Sequence, residues 1–144
     1  MLFGQDRNQI RGIYCEAWRK ARERTPLEPL EHLIVEVIEW HPEYHALLED
    51  IEAAYGWEPQ SEAAQSNPFL HMGMHIALRE QLQSGRPSGI GEHYRALAKQ
   101  LGDAHEAEHQ MMECLGEVLW QAQSTGTAPS EQAYLECLGR RAHR

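Results

Sequence analysis

No stretch of this chain is apolar for the ~18 residues that a membrane span needs. Nor does it open with the charged start and long apolar middle of a signal peptide. Val, Ile and Thr are sparse, so a β-rich fold finds little support. Cysteine is scarce as well. Cys15, Cys114 and Cys137 form no Cys-x-x-Cys, and their odd, scattered placing predicts reduced thiols rather than a disulfide framework. Positive charge is in deficit, with 13 Lys and Arg against 22 Asp and Glu and a formal net charge of −9. Such a chain repels phosphate backbones, which argues against nucleic acid as a partner and leaves cations as acceptable ones. No P-loop, Gly-x-Ser-x-Gly or Gly-x-Gly-x-x-Gly is present. These absences leave a cytoplasmic protein without a membrane span as the expectation.

Helix formers fill the space. Glu, Ala, Leu, Gln and Arg dominate the 144 residues, a length that suits one domain with its own core. Helical spacing predicts a first helix over 6–24, with Asp6 and Gln9 placed as a capping box. A second opens at Pro29 and carries the stripe Leu30, Leu33, Ile34, Val37 and Ile38 toward His41 and His45. Pro42 removes an amide donor and disfavours a helical His41, so the helix either kinks there or a short new one begins. Residues 51–66, punctuated by Gly56 and Pro59, read as a loop. Asn67-Pro68 starts a helix running to about Ser84. Further helices are expected over about 90–101, from Asp103 to about Gln123, and after Ser130. The expected fold is all-α: a single-domain bundle over 1–144, of four main helices plus short ones.

The histidines set this chain apart. Six of the nine fall into three His-x-x-x-His pairs, His41/His45, His71/His75 and His105/His109. At roughly 100° per residue, rings four apart share one helix face. Two imidazoles one turn apart on a rigid helix can reach a single ion, and bundles build metal sites from such facing side chains. The candidate metal ligands are therefore His41, His45, His71, His75, His105 and His109. Glu113, four beyond His109, is the first carboxylate candidate. Imidazole suits iron and zinc alike, and a carboxylate shifts the preference toward iron. Iron is preferred and zinc follows, in a dinuclear non-haem site. Its partners would be the metal ion itself and a small-molecule substrate or oxygen at open positions.

Each feature has a plainer reading. Inward histidines commonly serve as hydrogen-bonded core residues, and a metal-free bundle of this kind would be a partner-binding adaptor. Three histidines on one zinc or nickel would instead activate water for hydrolysis or transfer. His105-Glu106-Ala-Glu-His109 matches the His-Glu-x-x-His spacing of zinc proteases, but those enzymes add a substrate-binding sheet that this helical chain does not promise. Met72, Met74, Met111 and Met112 read as core packing rather than soft copper ligands. His32 reads as exposed, His93 as a boundary residue, and Glu106, Glu108 and Glu117 as solvated. No catalytic residue is assigned.

His41-Pro-Glu-Tyr-His45, Asn67-Pro-Phe-Leu-His71-Met-Gly-Met-His75 and the run from His105 to Trp120 together resemble a family of small bacterial proteins known as a domain of unknown function. The likeness covers nearly the whole chain and implies a single cytoplasmic domain without supplying an activity. A looser resemblance is to hemerythrin-like bundles, through His109-x-x-x-Glu113 and His71-x-x-x-His75. The order of those motifs differs from hemerythrin, and its C-terminal His-x-x-x-x-Asp is lacking.

Overall fold

The computed structural model describes residues 7–58 and 67–142. Among them there are helices and no strands: α1 Arg7–Arg22, α2 Pro29–Glu39, a 3₁₀ turn Pro42–Tyr44, α3 His45–Leu48, α4 Ile51–Gly56, α5 Pro68–Ser84, α6 Ile90–Leu101, α7 Ala104–Thr125 and α8 Glu131–Ala142. The chain divides into two compact units, Met1–Ile76 and Ala77–Arg144, with the boundary inside α5. The expected Asp6 cap lies outside the described residues.

In the first unit α1 packs on α2 and α4. Tyr14, Ala17 and Trp18 of α1 share a buried cluster with Ile34, Val37 and Ile38 of α2, Leu48 of α3, and Phe69, Met72 and Ile76 of α5. The expected loop over 51–66 is in part a helix. Asp50 accepts hydrogen bonds from the Glu52 and Ala53 amides and starts α4. Arg11, only 4% exposed, then donates to the carbonyls of Ala54 at 2.8 Å and Trp57 at 2.9 Å, at the far end of α4. A six-residue helix has little stability of its own, and here a buried cation on another helix satisfies its last carbonyls. Gly12 leaves room for Tyr55, whose hydroxyl would stand 2.9 Å from a Cβ at that position.

Lys20 of α1 bonds the Glu31 carboxylate of α2 at 2.8 Å, and the Glu28 amide donates to the same carboxylate at 2.8 Å. Lys20, and after it the amide, hold Glu31 below the usual carboxylate range. A depressed folded value stabilises above the unfolded one, near 4.3, and is lost as pH falls through the folded one. Glu31→Gln should therefore melt slightly lower than the parent at neutral pH, by less than about 1 kcal/mol because the pair is partly solvated. The two melting curves should converge in acid, as pH falls through the depressed folded value of Glu31. A gap that persists in acid would assign the effect to packing instead.

In the second unit α6, α7 and α8 pack pairwise. Glycines with positive φ end α6 and α7, at Gly102 and Gly126. Ile90, Leu97, Met111, Leu115, Val118, Tyr134 and Leu138 are buried. Tyr134 donates to Gln81 at 2.7 Å, tying α8 to the C-terminal part of α5. The expectation of reduced thiols is corrected here: Cys114 of α7 and Cys137 of α8 form a disulfide, their Cα atoms 5.8 Å apart, and among the cysteines only buried Cys15 is free. Residues 23 apart in sequence are brought side by side by the packing of α7 on α8, which no local spacing announces.

Candidate metal centre

His41 owes its position to Pro42. The proline cannot continue α2, so His41 leaves the helix with φ −128° and ψ 68° and its amide bonds back to Ile38 at 2.9 Å. Of the two outcomes open at Pro42, a new 3₁₀ turn is the one observed. The turn folds the His41 ring inward to 3% exposure and stacks it on Tyr44, centroids 5.2 Å apart. Its Nδ1 lies 2.7 Å from the Val37 carbonyl. A carbonyl only accepts, so Nδ1 carries the proton and Nε2 of the neutral ring presents a lone pair. This is the tautomer a metal requires, fixed by a backbone partner as in many histidine ligands.

Asn67 starts α5 by accepting from the Phe69 and Leu70 amides at 3.1 and 3.2 Å. That sets His71 and His75 one turn apart. His75 is wholly buried, with the Trp40 ring 5.5 Å away. Ring centroids of His41, His71 and His75 lie 4.9, 5.4 and 6.1 Å apart, and His41 Nε2 is 3.1 Å from His71 Nε2. One donor nitrogen of His41 and one of His75 lie within 4.8 Å of one another. Two imidazole nitrogens on a tetrahedral ion are about 3.4 Å apart, given bonds of about 2.05 Å. Small ring rotations therefore span the difference, and the first unit holds a preformed imidazole cluster.

The second unit carries the other pair. Asp103 accepts from the His105 and Glu106 amides at 3.0 and 3.2 Å and fixes the phase of α7. The His105 and His109 rings lie 4.4 Å apart, their Nε2 atoms are both buried, and their donor nitrogens are also within 4.8 Å of one another. Beside them in sequence stands a group expected to be solvated. Glu108 is 2% exposed, with Arg79 of α5 at 3.6 Å. Burial, and after it the Glu108 charge, raises the Tyr94 phenol above its usual value. The signal was present in the sequence: Glu108, Met111, Met112 and Leu115 follow i, i+3, i+4, i+7 spacing, a stripe that continues through Val118 and Ala122. The inner face of α7 is thus wider than the line of His105 and His109 alone.

Two expected ligands are used elsewhere. His45 heads α3 rather than continuing α2, so its ring does not follow His41 by one turn. Its Nε2 bonds the Ile38 carbonyl at 2.9 Å and its ring lies 4.4 Å from that of Trp18. Glu113 is about half exposed and pairs with Arg141 of α8, which also donates to Gln110. No group of three or more potential metal donors among the described residues includes His45 or Glu113. Met72, Met74, Met111 and Met112 are core residues, His32 is exposed and His93 lies at the boundary. Glu106 and Glu117 are exposed, Glu106 accepting from Gln110. No helix among the described residues is long and apolar enough to cross a membrane.

The model of one protein family, described as "Domain of unknown function (DUF1841)", matches residues 6–140. No curated protein and no solved structure matches the chain.

Proposed function

This chain belongs to that family of unknown function, and from that premise we propose that it is a metal-binding protein with imidazole ligands. The ligands are the pair His41 and His75 in the first unit and the pair His105 and His109 in the second, and the metal is non-haem iron, working in redox, oxygen or metal handling. The observation that carries the reading is His41. Its ring is buried, its Nδ1 is bound to Val37, and its Nε2 lies 3.1 Å from the Nε2 of another imidazole, His71. A purely structural core histidine has no need of histidine neighbours, whereas a metal site does. Support comes too from the burial of His75 and of both Nε2 atoms on α7. When bound, the metal supplies Lewis acidity or electron transfer. The chain's residues supply orientation and exclude water.

A second reading is zinc, and one observation favours it. With Glu113 paired to Arg141, the ligand set loses the carboxylate that most favours iron. Anaerobic loading with ferrous ion followed by air separates the two. Iron in this site gives a near-ultraviolet band that grows on oxidation and disappears with chelation. Stoichiometric zinc in a chain that, freed of zinc, retains no iron after ferrous loading selects the second reading, and loss of both ions from a desalting column discards the metal altogether.

A further inference from the structure

His71 stands differently from the other imidazoles. Its Nε2 is 3.1 Å from His41 Nε2, nitrogen against nitrogen. Two ring nitrogens bond only when one carries a proton and the other a lone pair. His41 has already placed its proton on Nδ1, facing the Val37 carbonyl at 2.7 Å. In the neutral pair His41 Nε2 is therefore the acceptor, and His71 Nε2–H is the donor. The lone pair that accepts His71 is the lone pair that a metal would take, and it serves one of them at a time.

We infer that His71 is a placeholder and not a ligand: its Nε2–H occupies the ligating lone pair of His41 in the metal-free chain and competes with the metal for it. The inference rests on the metal-binding reading given above and adds a residue that sets its affinity. No proton need be gained or lost by the protein. Metal entry breaks one N–H···N bond, and His71 turns its N–H to another acceptor. His71 is only partly buried, so water can take that place. His41 needs no rearrangement, because Val37 and the stacked Tyr44 hold its ring in either state. The benefit of such a placeholder is a His41 lone pair that is satisfied without metal, on a ring whose ligand tautomer is already correct.

The test uses zinc ion alone as probe, titrated against a competing chelator dye. His71→Phe keeps a planar aromatic ring and removes the donor. It should bind zinc about fivefold more tightly than the parent, the size of one ordinary hydrogen bond that no longer has to break. His71→Gln restores an N–H donor and should return close to the parental affinity. If His71→Phe folds poorly, His71→Ala reads the same sign. A tenfold or greater loss of affinity in these donor-less variants would make His71 a ligand and overturn the inference, and an unchanged affinity would overturn it equally. A second readout needs no metal. Long-range proton–nitrogen spectra of the metal-free chain should show His41 protonated on Nδ1 and His71 on Nε2, with the His41 Nε2 signal moving in His71→Phe. Finding His71 protonated on Nδ1 alone overturns the placeholder while leaving metal binding standing. A parent that takes up no zinc, with those tautomers in place, defeats the metal-binding reading and with it the competition.

Discussion

His75→Ala is expected to lower the affinity for zinc or iron by at least about a hundredfold, which exceeds the typical cost of losing only a supporting partner of a ligand. His75 is wholly buried, its donor nitrogen lies within 4.8 Å of that of His41, and it sits on a helix whose start is fixed by Asn67. The variant also leaves a cavity, so its stability falls whatever the imidazole does. The two effects separate in a chelator experiment. Metal that binds the folded state alone raises its melting temperature by mass action. Chelator should lower the melting temperature of the parent and leave that of His75→Ala unchanged. Equal chelator sensitivity in the two proteins would show that His75 holds no metal.

Breaking the Cys114–Cys137 disulfide is the other large expected effect. The bridge closes a loop across a sequence separation of 23 residues, and the chain-entropy relation assigns such a loop about 3 kcal/mol. Reduction, or Cys137→Ser, should lower stability by that amount in a urea titration. Thiol counting in denaturant gives the companion result, one free thiol from Cys15 before reduction and three after. Three thiols without reductant, or a urea midpoint indifferent to reduction, would remove the bridge from the account. His105 and His109 lie on the same helix as Cys114, within the ten residues before it. The bridge thus steadies a helix that carries two of the proposed ligands.

What could be read from residues alone was mostly local. Asn67, Asp103 and Ser130 announced the starts of α5, α7 and α8, and Gly102 and Gly126 close α6 and α7, because caps and left-handed glycines act within four residues of the backbone they satisfy. The apolar stripes also placed His71, His75, His105 and His109 on inner helix faces, where His75 is buried and the other three are half-buried. Apart from His45, the departures depend on distant partners. Gly56 and Pro59 suggested a loop, but Asp50 caps α4 and Arg11, 43 residues before Ala54, secures its end. His45 fell out of phase because the 3₁₀ turn at Pro42 resets the helical period. Glu113 continues the drift of His105 and His109 around α7, about 40° per step, until it leaves the inner face and meets Arg141. Glu108 was misjudged by residue type, since an acid is seldom buried without a partner, and that partner, Arg79, lies on another helix.

Elemental analysis of the untagged chain, as purified and after reconstitution with iron or zinc, tests the central claim most directly. At least one equivalent of transition metal per chain is expected, retained through desalting and lowered in His75→Ala. Substoichiometric metal in every preparation, with the fold intact, would contradict it.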